Sequence, residues 1–459
     1  MILSSPNPIP KTATRNFSRF ENRVAATASG GKFCDGWILA VIGVVLPLAT
    51  TGLGFSPVME GLIGSGSLFG LFVGGLAFGW VTDRLGRKVM FMLTLLTFLV
   101  CSILQFFVVD AWQLFALRVV MGMAIGADYA IGGAMVAEFT SLKKRGPKLA
   151  EMLVWWYAGF SLSATLAILA LNAFPDIEGL WRWILASSAV PALVMFLARI
   201  GLPESPRWLA SRGRMEEARA IAEEYLDPET REDALAESTV KLGFGALFSR
   251  RYIRKTALVS IFWMAQITPF FAIYVFLPRI LTQLDIDLGD GWSEVVLYLF
   301  LLIGCVAGVA VVNRIGRRKL LIIPFIGMGA SLLVLALWQT APSWVVITCF
   351  IVFAFAHAAG SVLQMLYPSE LFPTEIRATA VGFGASMSRI GAAVSTFLLP
   401  MGLTAWGVGP TLLIGVAICA LGLVVSIMWA PETTGLKLTD TASIPTASEQ
   451  HRRTGARAS

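Results

Sequence analysis

The stretch Asp83-Arg84-Leu85-Gly86-Arg87-Lys88 returns as Asn313-Arg314-Ile315-Gly316-Arg317-Arg318-Lys319, displaced by 230 residues. Two further pairs share nearly the same displacement: Glu138 followed by Arg145 returns as Glu370 followed by Arg377, and Pro203-Glu204 returns as Pro431-Glu432. Three independent pairs at one spacing, about half of the 459-residue chain, mark two related halves joined head to tail.

Around both copies the sequence is apolar. The chain is 56% hydrophobic and 14% charged, whereas a soluble domain carries roughly 25% charged residues. A helix needs about 20 apolar residues to cross a bilayer. Such windows lie at 24–52, 60–82, 89–109, 112–139, 149–172, 181–202, 256–280, 292–312, 320–339, 344–370, 378–401 and 409–430, six in each half. The predicted fold is therefore an all-α polytopic membrane protein with twelve transmembrane helices in two pseudo-symmetric six-helix bundles. The bundles occupy 24–202 and 256–430, the linker 203–255, and the tails 1–23 and 431–459. Within the linker, MEEARAIAEEYL at 215–226 has the period of an amphipathic helix. The first 23 residues are polar and lack the apolar core of a cleavable signal, so the first span is expected to be retained.

The net charge of +7 comes from short basic clusters between spans, which argues against a nucleic-acid-binding stripe. Arg84, Arg87 and Lys88, then Lys143, Lys144, Arg145 and Lys148, then Arg314, Arg317, Arg318 and Lys319 all fall on one side of the predicted membrane. The connections 53–59, 110–111, 173–180, 281–291, 340–343 and 402–408 hold no Lys or Arg, but do hold Asp110, Asp176, Glu178, Asp285, Asp287 and Asp290. Positive charge stays in the cytoplasm, which predicts both termini there and a multi-pass protein of the plasma (inner) membrane. The five cysteines lie in apolar stretches without metal-ligand spacing, and no P-loop is present, so no metal, cofactor or enzymatic activity is expected.

Two parallel repeats build a cavity at their interface near the bilayer midplane, exposed to each side in turn as the bundles rock. Nothing resembles a fourfold selectivity filter, which favours a carrier over a channel. A charge at the centre of a spanning helix costs about 3 kcal/mol on insertion scales and so marks function. Lys32, Asp35, Asp128, His357 and Arg389 are the ionisable residues singled out. Asp35 and Asp128 are the proton-coupling candidates. Lys32 lies three residues from Asp35 and is placed to neutralise it, which makes Asp128 the preferred carrier; the alternative is a fixed Asp–Arg pair pinning two helices. Arg389 is either the anchor of an anionic solute or the partner of one of these aspartates. Tyr129, Trp155, Trp156, Gln266 and Gln364 are the other candidates for contact with the solute.

Several motifs resemble one family. Gly79-Trp80-Val81-Thr82-Asp83-Arg84-Leu85-Gly86-Arg87-Lys88 resembles the loop-2/3 signature of the major facilitator superfamily. Arg118, Gly122 and Gly126 resemble its fourth-helix motif, Pro203-Glu204-Ser205-Pro206-Arg207-Trp208-Leu209 the PESPRWL run of sugar-porter-like members, and Pro431-Glu432-Thr433-Thr434-Gly435 the PET-x-G after helix twelve. Asp35-Gly36-Trp37, Gly126-Ala127-Asp128-Tyr129 and the run from Tyr367 to Arg377 are similar to bacterial metabolite:proton symporters. The helix-seven stretch Trp263-Met264-Ala265-Gln266-Ile267-Thr268-Pro269 departs from the Q-Q-x-x-G-x-N of true sugar porters. The resemblance implies a cytoplasmic gate of Asp83, Arg84, Arg87, Glu138 and Arg145 with Arg314, Arg317, Glu370 and Arg377, stabilising the outward-open state. It implies proton-coupled symport of a small organic metabolite, an organic acid or a sugar-like solute, by alternating access. An exporter or facilitative uniporter on the same fold, or a solute sensor that does not transport, are the alternatives. The implied partners are the solute, protons and the lipid bilayer, and the chain is expected to function as a monomer.

The topology is testable in a background without native cysteines. Asp176→Cys is expected to react with a membrane-impermeant maleimide in intact cells, and Glu217→Cys only after lysis. The reverse pattern contradicts the orientation.

Overall fold

The protein is described here by a computed structural model covering residues 11–235, 244–284 and 292–434; the side chain of Asp83 lies outside the described residues, as do Asp285, Asp287 and Asp290. The first half contains α1 (Lys11–Leu53), α2 (Pro57–Leu85), α3 (Arg87–Phe106), α4 (Ala111–Phe139) and α5 (Leu142–Ala173), with the sixth span in two segments, α6 (Leu180–Ala186) and α7 (Ala189–Arg199). Three short helices follow: α8 (Pro206–Ser211), α9 (Met215–Tyr225), which is the predicted amphipathic helix, and α10 (Pro228–Leu235). The second half contains α11 (Ile253–Val275), α12 (Leu277–Gln283), α13 (Trp292–Ile315), α14 (Arg317–Leu337), α15 (Ser343–Ser361), α16 (Leu363–Leu371), α17 (Thr374–Trp406) and α18 (Val408–Trp429). Among the described residues eleven helical stretches are long and apolar enough to cross a membrane. The remaining expected span, 378–401, is the middle of the 33-residue α17. Lys32 lies inside α1 and is buried.

Local sequence explains several helix ends. Asp110, read from sequence only as a topology charge, caps α4 by accepting hydrogen bonds from the backbone N–H of Trp112 (2.8 Å) and Gln113 (3.0 Å). Ser56 caps α2, with Pro57 in the first turn, where a missing N–H costs nothing. Small residues set the packing. A methyl group on Gly122 would stand 2.1 Å from the Ser67 carbonyl oxygen, and one on Gly126 2.5 Å from that of Leu71, so the glycines of the fourth-helix motif let α4 meet the backbone of α2. The halves meet along α2 with α17, α5 with α13, and α1 with α11. Ser161 of α5 donates to the Tyr298 carbonyl of α13 across this seam (2.6 Å).

One end of the molecule carries the basic clusters and the other the acidic connections; they are called here the basic and acidic ends. At the basic end the three repeated sequence pairs assemble into one motif, built twice. Glu204 accepts from the backbone N–H of Arg87 (3.0 Å) and Lys88 (3.1 Å), capping α3; Glu432 does the same for Arg317 (2.9 Å) and Arg318 (3.1 Å), capping α14. A carboxylate at a helix N-terminus meets free N–H groups and the positive end of the dipole. In the first half Glu138 accepts from the Arg87 guanidinium and the Ser205 hydroxyl. In the second half Glu370 accepts from Arg317 (3.0 Å) and the Thr433 hydroxyl. Glu138, expected among the same gate charges as Arg84, Arg87 and Arg145, pairs with Arg87, the first residue of α3.

Burial pushes the Glu432 carboxyl up, but the Thr434 hydroxyl and the N–H groups of Arg317, Thr434 and Arg318 outweigh it and hold the carboxyl below the ordinary glutamate value. A depressed carboxyl stabilises the fold above its unfolded pKa, and that contribution is lost as pH falls through the folded one. Both caps need a glycine. Gly86 has φ 100° and ψ 156°, Gly316 φ 92° and ψ 155°, a region only glycine occupies without strain. A methyl group on Gly316 would also lie 2.7 Å from Glu432 Oε2. Gly316→Ala is therefore expected to cost about 1–3 kcal/mol, seen as a lower thermal midpoint of the purified protein. An unchanged midpoint contradicts the cap.

Candidate functional site

Four buried charges, Lys32, Asp35, Asp128 and Arg199, cluster within the first half. Lys32 and Asp35 project from the same face of α1, with Lys32 Nζ 2.8 Å from Asp35 Oδ2. The same ammonium lies 3.5 Å from Asp128 Oδ2 on α4. Asp128 Oδ1 accepts from Arg199 Nη2 at the end of α7 (3.0 Å) and from the Thr94 hydroxyl of α3 (3.2 Å). Arg199 is itself held by the carbonyls of Phe91 (2.5 Å) and Thr27 (3.3 Å) and lies over the Phe91 ring at 3.3 Å. Asp35 and Asp128 are fully buried. Gly31 opens the room: a methyl group there would lie 2.2 Å from the Arg199 guanidinium and 2.8 Å from Asp128. The two carboxylates are not equivalent. Each has one oxygen without a hydrogen bond, Asp35 Oδ1 and Asp128 Oδ2, but Asp128 is faced by an arginine, a lysine and a hydroxyl, whereas the cation beside Asp35 is Lys32.

Arg389 does not join this cluster. Its guanidinium lies 5.3 Å from the Tyr129 ring and 5.9 Å from the Phe271 ring, at the seam between α4, α11 and α17. Lys32 faces the same Tyr129 ring at 3.4 Å. Of the two sequence-based alternatives for Arg389, pairing with a span-one or span-four aspartate is not what the structure shows: the described arginine partner of Asp128 is Arg199. Trp156 stacks on Phe160 (5.1 Å) and reaches Phe271 of the second half (6.3 Å). Trp155, by contrast, is 45% exposed and meets Phe33 edge-on, so it is not brought to Tyr129. Gln364 donates to Gln266 within the second half (2.8 Å). His357 stacks on Phe270 at 4.1 Å, and neither ring nitrogen has a partner meeting hydrogen-bond geometry. Arg118 ties α4 to α1 through the Ile38 carbonyl (2.9 Å).

The expected gate charges divide. Arg87 with Glu138 and Arg317 with Glu370 pair within their own halves rather than across the seam. Arg84 and Arg314 are exposed, and Arg145 and Arg377 half-buried, with Arg377 Nε donating to the Phe372 carbonyl (3.3 Å). An ion pair that does cross the seam stands at the acidic end. Glu60, at the start of α2, takes the Arg279 guanidinium of α12, and Arg279 also donates to Thr404 of α17 (2.9 Å). It borders a recess of about 460 Å³ lined by residues that include Pro47, Thr50, Phe55 and Gln283. Sequence reasoning missed Arg199, Glu60 and Arg279 as site residues. A signal was present: each lies inside an apolar window, where charge is expensive.

An all-helical chain of two repeats, with charge buried in its centre and a seam between its halves, defines an integral-membrane solute carrier. The chain belongs to the sugar (and other) transporter family, whose sequence model matches residues 13–444, and it has the major facilitator fold; this is a family of transporters, not of enzymes. It is 39% identical, over 93% of this chain and 96% of the other, to YaaU of Escherichia coli strain K12, a protein named as a candidate metabolite transporter. It is 37% identical, over 94% and 96%, to the inner membrane metabolite transport protein YgcS of the same organism. Its fold matches the xylose transporter XylE from E. coli in a partially occluded inward open conformation, with a TM-score of 0.77, 19% identity, and coverage of 91% of this chain and 100% of that one.

The crossing pair should act as a latch on the acidic end. Arg279→Gln is expected to raise the reaction rate of a cysteine at Thr50 with a hydrophilic thiol reagent several-fold in purified protein. An unchanged rate contradicts a latch.

Proposed function

We propose that the chain is a proton-coupled symporter of a small organic metabolite, with both termini in the cytoplasm of an inner-membrane protein working as a monomer. The bundles at 24–202 and 256–430 rock about the seam; the Glu60–Arg279 pair holds the outer end shut in the conformation described. On this reading the within-half pairs Arg87–Glu138 and Arg317–Glu370 shape the two halves of the cytoplasmic gate, to which Asp83, Arg84, Arg145, Arg314 and Arg377 contribute. A structural neighbour described as a proton:xylose symporter accords with the coupling, at 19% identity.

The observation that carries the proposal is the unequal clamping of the two buried carboxylates. A coupling carboxylate must gain and lose a proton in each cycle. Asp128 faces Arg199, which cannot give up its proton, so protonating Asp128 would strand a buried guanidinium. Asp35 faces a single lysine that has a second carboxylate 3.5 Å away. When Asp35 is protonated, Lys32 shifts towards Asp128 and remains paired. Asp35 is thus the carrier, Lys32 the group that moves between the two acids, and Asp128 with Arg199 the fixed counter-pair. This inverts the order of preference drawn from sequence, which took account of Lys32 but not of Arg199.

Asp35→Asn mimics the protonated acid. It is expected to abolish accumulation driven by a pH gradient in vesicles while preserving solute exchange. Asp128→Asn should instead lower the thermal midpoint, because unpairing a buried ion costs about 3–5 kcal/mol. Accumulation that persists in Asp35→Asn rejects the assignment.

A further inference from the structure

Arg389 is 4% exposed and makes no hydrogen bond or ion pair among the described residues. Its described neighbours are the faces of Tyr129 and Phe271, and its Nε is buried without a partner. The first-half cluster supplies no spare anion: Lys32 and Arg199 are balanced by Asp35 and Asp128. Glu60 and Arg279 neutralise one another at the acidic end, and Glu294 lies in the first turn of α13, on that same side. Arg118 is a second buried guanidinium without a carboxylate beside it, but it lies inside the first half, between α4 and the Ile38 carbonyl of α1. The Arg389 guanidinium thus stands at the seam without a counter-charge among the described residues, and it cannot neutralise itself by losing a proton. Ring faces soften that charge, but the Tyr129 face is already shared with Lys32 at 3.4 Å, and a ring is a weaker counter-charge than a carboxylate.

We infer that the solute is a small organic acid carried as its monocarboxylate, with the carboxylate on the Arg389 fork and its carbon skeleton against Tyr129 and Phe271. This rests on the transport reading above and adds the chemical class of solute. The geometry favours an anion over a neutral sugar for two reasons. A hydroxyl can accept from the guanidinium but leaves its charge standing in a water-poor seam, whereas a carboxylate both accepts two parallel N–H bonds and cancels the charge. Nearby, the Trp156 indole N–H is also buried without a partner; it can only donate, which again suits an acceptor-rich ligand. The one guanidinium that faces Tyr129 and Phe271 matches a monoanion, and a phosphate monoester would overshoot it. Charge movement follows: one proton on Asp35 and one carboxylate on Arg389 cross together as a neutral sum. Uptake is then driven by the pH gradient and is indifferent to the membrane potential, whereas a neutral sugar with a proton would respond to both.

The test begins with binding at equilibrium, without any gradient. Thermal midpoints of the purified protein are compared for benzoate against benzamide and gluconate against glucose, with xylose and glucose phosphate added. At least one of the two acids is expected to stabilise the wild type while its neutral partner does not. Arg389→Gln should weaken that binding roughly ten- to a hundredfold, the range lost with a charge-assisted hydrogen bond, and Arg389→Lys less. Stabilisation by glucose, xylose or glucose phosphate alone overturns the inference, as does failure of both acids or acid binding undiminished in Arg389→Gln. The bound acid is then followed into vesicles with a potential clamped by a potassium ionophore. Uptake that follows the potential overturns the charge balance. Equilibrium binding without any response to a pH gradient instead rejects the symport reading and leaves the solute class standing.

Discussion

Four buried charges, Lys32, Asp35, Asp128 and Arg199, form the interaction on which the rest of the structure depends. Each would cost several kcal/mol alone in a low-dielectric interior. Together they sum to zero and join α1, α3, α4 and α7, with Gly31 leaving room for the Arg199–Asp128 pair. The cluster fixes how the first half is assembled and, through Lys32 and Tyr129, reaches the seam where the second half presents Arg389. A change of protonation at one aspartate is thus felt at a ring that both halves touch. That is the physical link between a proton and a solute in the proposed cycle.

The two ends of the molecule are held differently. At the basic end each half carries its own latch, with Glu204 and Glu432 capping the following helices and Glu138 and Glu370 gripping the first arginine of each. These latches tie helices within one half and do not themselves cross to the other. At the acidic end Glu60 and Arg279 do tie the halves together, beside the close approach of Gly61 to the Phe397 carbonyl. Bundles tied internally at one end and joined to each other at the other suit rocking about a central site.

The fold was legible because it rests on quantities that sequence carries directly. Span length, charge asymmetry between connections and a repeat displaced by 230 residues need no knowledge of contacts. The site was legible only in part. Asp35, Asp128 and Arg389 stood out as charges in apolar windows, and Lys32 was rightly paired with Asp35 because a spacing of three residues lies on one helix face. Arg199 was passed over because it closes its span just before Pro203-Glu204, where a basic residue looks like one reaching the membrane surface; only the packing of α7 against α3 turns it inward. Glu138 was expected to join the charges after the second span, and the turn at Gly86 brings Arg87 to it from another helix.

The central claim is that Asp35, and not Asp128, takes the proton. Infrared difference spectroscopy of the reconstituted protein, recorded as the pH is lowered, reports the stretch of a protonated carboxyl group in a dry environment. The account predicts that this band grows in the wild type, persists in Glu60→Gln and vanishes in Asp35→Asn. A band that survives Asp35→Asn and vanishes in Asp128→Asn would contradict it.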